Sequence, residues 1–142
     1  MASDQRPGLL LEDVTRVVIG VFFAVYNELS GFPEHVLRRA LKVALEEAGL
    51  TVREEVNLPV WFRGHLLTTF RADLIVDPGV IVEVKTASDI QPFHKTQLLH
   101  YLKASGLEVG LLLNFGRRPE HARVVYQQAR ERDAVSGDSS TA

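Results

Sequence analysis

Residues 70–85 read FRADLIVDPGVIVEVK, and the other predicted elements are arranged around this segment. Two apolar runs flank an Asp-Pro-Gly tripeptide at 77–79, a combination typical of a β-hairpin with a tight turn. Both runs are apolar enough to be central strands, yet they contain Asp73, Glu83 and Lys85. An ionised side chain in such a strand is costly unless it is paired or holds a metal. The sequence therefore predicts a hairpin that carries a cluster of charges at one end.

These charged side chains have two interpretations. Side chains alternate along a strand, so Glu83 and Lys85 share one face, and a tight hairpin brings Asp73 close to them. The two carboxylates and the backbone carbonyl of Val84 would suit Mg²⁺ or Mn²⁺, which prefer oxygen ligands. Lys85 would then orient a water molecule or offset charge on a phosphate. The alternative is a buried Asp/Glu/Lys network that only sets strand register, and the residues alone leave both open.

The composition is that of one soluble domain. The chain has 142 residues, of which 46% are apolar and 24% charged, with a net charge of −2 that gives no general sign of nucleic-acid binding. The absence of Cys excludes disulfides and thiolate metal sites and indicates a reducing compartment. The apolar run at 17–26 is too short to span a bilayer and lacks the flanks of a signal peptide. We therefore expect a cytoplasmic protein that does not enter the membrane.

Hydrophobic periodicity predicts the order of the elements. Residues 51–62 place apolar side chains at even positions, which predicts a strand with one solvated face, and Pro59 indicates an edge strand or a bulge. Residues 107–115 are almost wholly apolar, as in a strand covered on both faces. The predicted elements are helices at 9–30, 33–49 and 93–105 and strands at 51–62, 66–76, 80–85, 107–115 and 122–126. We expect 1–8 to be a flexible leader, 9–133 a single domain and 134–142 a disordered tail.

This order, with an acidic residue on one strand and Glu-x-Lys on its hairpin partner, resembles the PD-(D/E)xK nuclease superfamily. The matching residues are Asp73 and the segment 83–85. The resemblance is closer still to the small bacterial GxxExxY proteins and extends from about residue 14 to residue 126. In the motif of that name Leu37 stands in place of Tyr, and Ala72 stands before the acidic residue where the superfamily has Pro. Further matching stretches are 31–37, 70–74, 82–85, 97–103 and 110–116.

The resemblance implies a fold and an activity. The fold is α/β and restriction-endonuclease-like, an αβββαβ core with a mixed sheet flanked by helices, here with an additional N-terminal helix. The implied activity is that of a metal-dependent phosphodiesterase acting on DNA, with RNA as the alternative substrate. Asp73, Glu83 and the carbonyl of Val84 would bind Mg²⁺ or Mn²⁺, and Lys85 would position the attacking water.

The resemblance also implies roles for residues outside the hairpin. Glu34 would complete the site as a further metal ligand or acid, although an acid in the first turn of a helix is favoured by the helix dipole without any function. Gln97 and Tyr101 match the Gln-x-x-x-Tyr element of RecB-type members. Their spacing of four places both on one helix face, which His94 extends, and all three are expected to orient substrate. The plainer interpretation is a helix face packed on the sheet with a polar edge.

Two alternatives to a nuclease stay open. A catalytically silent module with the nuclease fold would act by binding, as a homodimer or as a subunit of a DNA repair or defence complex. Its small size and slightly acidic charge favour that interpretation. A purely structural protein would retain the charges as a buried ionic cluster. Trp61 and Phe62, in the first hairpin, are expected in the core or at an interface rather than as a platform for bases.

Overall fold

The computed structural model describes residues 7–127, with side chains from residue 11 onwards. Helices and strands follow one another in the order predicted from the sequence, which confirms the α/β fold class. The predicted tail and the first six residues of the predicted leader lie outside the described residues, and the first helix begins two residues earlier than predicted. The elements are α1 (Pro7–Leu29), α2 (Glu34–Glu47), β1 (Val52–Phe62), β2 (His65–Val76), β3 (Val80–Lys85), α3 (Pro92–Ser105), β4 (Val109–Phe115) and β5 (Pro119–Val125).

The strands form one mixed sheet of five strands in the order β1-β2-β3-β4-β5. β3 and β4 are parallel and are connected through α3, whereas the other neighbours are antiparallel. β1 lies at an edge and has an irregular register after Val60, as Pro59 predicted. β5 begins at Pro119, three residues before the predicted start of the last strand. Proline is tolerated there because it is the first residue of an edge strand.

The sheet separates two hydrophobic cores. α1 and α2 pack on one face against residues such as Val82 and Leu111, and α3 packs on the other against Ile81 and Leu112. β4 is buried along its whole length, which confirms the prediction that both of its faces are covered. Gly110 allows the close approach of α3, because a Cβ atom there would lie 2.7 Å from a Leu98 methyl carbon. No helix among residues 7–127 is both long and apolar enough to cross a bilayer.

β1 and β2 change faces halfway along their length. Val52 and Leu74 belong to the core beneath α1 and α2, whereas Val56 and Ala72 belong to the core beneath α3. Even positions of β1 are more buried than odd ones from residue 52 to residue 60, as predicted, but regular alternation would keep residues 52 and 56 against one core. The residue between them, Glu55, has a left-handed φ of 53°. The residue pairs before and after Glu55 have the same register, Glu54 with Leu74 and Val56 with Ala72. The two strands therefore rotate together at Glu55 without a shift in their pairing.

Beyond this point the β1–β2 hairpin continues as a two-stranded arm, residues 56–72. The arm has no partner in β3, because the pairing of β2 with β3 ends at Leu74 and Val82. Its tip exposes large apolar side chains: Trp61 is 61% exposed and Phe62 is 53% exposed. Neither residue lies in the core, since the arm projects past the strands that could cover it.

The left-handed conformation of Glu55 generates a stability prediction. A residue with a Cβ atom is strained there by about 1 kcal/mol relative to glycine. Both Glu55→Gly and Glu55→Ala remove the carboxylate that pairs with Arg38 at 3.1 Å, so their difference isolates the backbone effect. We expect Glu55→Gly to have the higher free energy of unfolding in urea titrations. A more stable Glu55→Ala would contradict the left-handed conformation, because glycine normally weakens a strand.

Candidate functional site

The site lies where β2 and β3 part, and it is built on two reciprocal hydrogen bonds. The backbone N–H of Asp73 donates to Oε2 of Glu83 at 2.7 Å. The backbone N–H of Val84 donates to Oδ2 of Asp73 at 2.9 Å. Each carboxylate thus supplies an acceptor to the other strand just beyond the last backbone pair, Leu74 with Val82. The arrangement uses one oxygen of each carboxylate and leaves the second oxygen for another partner.

The two carboxylates perturb each other's titration. Glu83 is only 3% exposed, and its burial, followed by the charge of Asp73, raises its pKa to about 8. Burial also raises the pKa of Asp73, against the lowering effects of the Val84 N–H and of Lys85. The pair therefore retains a proton near neutral pH when no cation is present. A site with this excess of negative charge is suited to binding a positive ion.

Lys85 is held beside the carboxylates by α3. Its Nζ donates to Oε1 of Gln97 at 3.0 Å. The Lys85 charge lowers the pKa of both Asp73 and Glu83, which shows that it acts on the same site. The sequence predicted that Gln97 would lie beside this site, and the structure brings the two side chains together. Gln97 restricts the long lysine side chain to one direction.

The structure also places the other two predicted residues of α3. Tyr101 is almost completely buried, and its ring lies 5.3 Å from that of Phe70. Burial, followed by the charges of the two site carboxylates, raises the pKa of Tyr101. His94 is buried at the start of α3, where its Nδ1 accepts a hydrogen bond from the Gln91 N–H at 2.9 Å. This helix-capping contact explains why His94 is buried at the start of α3. Its predicted contact with substrate stays a prediction.

Glu34 reaches the site from the opposite side, at the first residue of α2. The Glu34 residue is exposed by surface area, but nearby protein atoms partly desolvate its carboxylate. This desolvation, followed by the charge of Asp73, raises the pKa of Glu34. Arg38, one turn further along α2, bonds Glu54 at 2.9 Å and Glu55 at 3.1 Å. The sequence did not predict this structural role of Arg38, which fastens α2 to the point where β1 changes faces. The available signal was its spacing of four from Glu34, which places both on one helix face.

The donor set agrees with a hard divalent cation, although no complete metal cage is present. Within residues 7–127, no group of three or more His, Cys, Asp or Glu side chains is arranged to hold a metal. The free carboxylate oxygens of Asp73 and Glu83 and the carbonyl of Val84 are all oxygen donors. Magnesium and manganese need few protein ligands of this kind, because water and substrate phosphate supply the others.

The raised pKa of Glu83 predicts how stability depends on pH without metal. A carboxyl whose folded pKa lies above its unfolded value stabilises the fold at low pH, and this contribution is lost as pH rises towards about 8. Between pH 6.5 and 8, the free energy of unfolding should fall by about 1 kcal/mol per pH unit. His94 opposes the trend only at lower pH, because its pKa is lowered from 6.5.

Urea titrations in EDTA at several pH values measure this slope. Glu83→Gln keeps an acceptor for the Asp73 N–H but cannot titrate, so the variant should have a flatter profile than the wild type. An identical slope in both proteins would show that Glu83 titrates normally.

Comparison with known proteins agrees with this geometry. The family model of the PD-(D/E)XK nuclease superfamily matches residues 12–124. No curated protein matches the chain. Among solved structures, the crystal structure of SSO0001 is similar, with 23% sequence identity and a TM-score of 0.52 over 67% of this chain and 52% of that chain. Because the identity is this low, the likeness supports the fold alone, and the match spans about half the length of that structure.

The family match covers the helices, the hairpin and the site together, from α1 to β5. The narrower resemblance to GxxExxY proteins and to the RecB-type element stays a prediction. With an αβββαβ order, a mixed sheet and paired carboxylates beside Lys85, the chain belongs to the PD-(D/E)XK nuclease superfamily.

Proposed function

We propose that the protein is a divalent-metal-dependent nuclease that hydrolyses phosphodiester bonds. The observation that carries this proposal is the reciprocal bonding of Asp73 and Glu83, which holds two carboxylates together beside Lys85. Membership of the nuclease superfamily supports a nucleic-acid substrate, and nucleases of this superfamily generally use divalent metals.

The carboxylates of Asp73 and Glu83 and the carbonyl of Val84 would hold Mg²⁺ or Mn²⁺. When bound, such a cation polarises a phosphoryl oxygen and makes a water molecule more acidic. Glu34, whose pKa responds to the charge of Asp73, would serve as a further metal ligand or as an acid. Arg38 keeps α2 in position for that role through its ion pairs with β1.

Lys85 is the residue that would face the reacting phosphate. Its ammonium group can orient the attacking water and offset charge that develops on the phosphate oxygens. Gln97 limits the motion of this side chain by accepting one of its hydrogen bonds at 3.0 Å. A restricted lysine loses less conformational freedom when the substrate binds, which favours catalysis by orientation. Tyr101 and His94 are proposed to orient substrate along the same helix.

Cleavage assays test this proposal directly. Plasmid, single-stranded DNA and RNA are incubated with the wild type in Mg²⁺ or Mn²⁺. Asp73→Asn, Glu83→Gln and Lys85→Met should each lower the rate by about 100-fold or more, since each removes a carboxylate that would hold the metal or the ammonium group that would face the phosphate. Asp77→Asn, in the exposed turn of the same hairpin, is the matched control and should cleave like the wild type. Equal rates for Asp73→Asn and wild type on every substrate would refute the proposal.

A second candidate is a nuclease-fold module that binds partners without cleaving, as a homodimer or within a repair or defence complex. The absence of a three-residue metal group among residues 7–127 favours it, because an incomplete site can retain the fold without holding a metal. The contact of Lys85 with Gln97 also gives the lysine a structural partner.

Thermal unfolding separates the two candidates. A nuclease should gain several degrees in Tm when millimolar Mn²⁺ is added, because a ligand that binds only the folded state stabilises it. Asp73→Asn should abolish the gain, whereas Asp77→Asn should retain it. The gain should grow as pH rises from 6.5 to 8, since protons and metal compete for the same carboxylates. A wild-type Tm that does not respond to Mn²⁺ or Mg²⁺ would favour the silent module.

A further inference from the structure

A groove runs between the arm and α3, on the face of the sheet away from α1 and α2. It consists of two cavities of about 400 and 390 Å³ that share Phe70 and His100 as lining residues. The outer cavity lies towards the tip of the arm, where Leu67 and Lys103 line it. The inner cavity lies along α3, where its walls include Phe93 and Gln97. Each cavity is large enough for a flat ring system.

The groove is continuous with the candidate nuclease site. Gln97 lines the inner cavity and accepts the hydrogen bond from Lys85. Tyr101 lines the same cavity, and its pKa is raised partly by the charges of Glu83 and Asp73. A chain lying in the groove would therefore pass from the arm to the reacting groups without crossing another element.

The walls of the groove have a charge opposite to that of the whole chain. Neither residues 56–72 nor α3 contains an aspartate or a glutamate, although the chain carries a net charge of −2. Of the cations in these two segments, Lys103 lines the groove. Acid-free segments with a lysine in the lining favour a polyanion as the ligand.

The lining of the groove favours one form of that polyanion. Phe93 is 66% exposed, and Phe70 is partly buried with its ring 5.3 Å from that of Tyr101, so aromatic surface from both rings lines the groove beside apolar side chains. A duplex hides the faces of its bases in the stack and presents phosphates and groove edges. A single strand can turn its bases outwards, and base–aromatic stacking is the usual way in which proteins bind single strands.

We propose that the groove between the arm and α3 binds single-stranded nucleic acid, with bases on Phe70 and Phe93 and phosphates near Lys103. The inference rests on the proposed nuclease function, because the groove would be the path by which a strand reaches Lys85. It assigns to the arm a role in substrate binding that the family match alone does not give.

Binding without metal tests this inference apart from cleavage. Fluorescence anisotropy in EDTA compares labelled single strands of about 12 nucleotides, DNA and RNA, with a duplex of the same sequence. The wild type should bind one of the single strands at least about fivefold more tightly than the duplex, and Phe93→Ala should lose about fivefold or more of that affinity. Phe23→Ala, a partly exposed aromatic on α1, is the matched control and should bind like the wild type.

A second variant keeps the test independent of stacking. Lys103→Gln should weaken binding to all single strands alike and should reduce the salt dependence of the affinity. Equal affinity for duplex and single strand, or unchanged binding by both Phe93→Ala and Lys103→Gln, overturns the inference. The inference is also overturned if Phe93→Ala leaves nucleic-acid affinity unchanged but alters the sedimentation coefficient. The groove would then be a contact surface between two copies of the chain.

The outcomes also separate this inference from the proposed function. Selective single-strand binding in EDTA, with no cleavage in Mg²⁺ or Mn²⁺, would refute the nuclease and support the groove. Metal-dependent cleavage with no preference between single strand and duplex would support the nuclease and overturn the groove.

Discussion

The exchange of hydrogen bonds between Asp73 and Glu83 is the constraint on which the rest of the structure depends. Two strands that part leave backbone N–H groups without acceptors, and a buried N–H without a partner is costly. Here the side chain of each strand accepts from the backbone of the other, at 2.7 and 2.9 Å. Such charge-assisted bonds are strong, but they place two carboxylates in a buried site, where each penalises the charge of the other. The contact that joins the two strands therefore leaves a buried concentration of negative charge, which a cation or a proton would stabilise.

The parting of the strands also determines where the arm lies. Once β2 leaves β3, its only strand partner is β1, and the two rotate together at Glu55. Arg38 holds this rotation in place by pairing with Glu54 and Glu55, so α2 positions both Glu34 and the base of the arm. Because of the rotation, Phe70 and Val56 turn towards α3. One backbone distortion therefore produces both the opening of the site and the groove beside it.

The sequence predicted the order of elements and the central hairpin because these depend on local patterns. An Asp-Pro-Gly turn, a spacing of ten residues between two acids and a Gln-x-x-x-Tyr helix face are all visible in the letters. The rotation at Glu55 is not, since a left-handed residue is usually announced by glycine or asparagine, and glutamate gives no such signal. The exposure of Trp61 could not be predicted from the sequence either, because it depends on how far the arm extends beyond β3.

A site that served only strand register would not need the features found here. Backbone pairing could continue past Leu74 at no electrostatic cost, and an amide side chain could accept the same hydrogen bonds without a charge. Instead the fold retains two carboxylates whose pKa values are raised, with Lys85 directed beside them by Gln97. A proton relieves this strain at low pH, and a divalent cation would relieve it at higher pH by taking the place of the proton. If a cation binds, it would offset the cost that the pair imposes on the metal-free fold, so metal affinity and folding stability would both depend on this one contact.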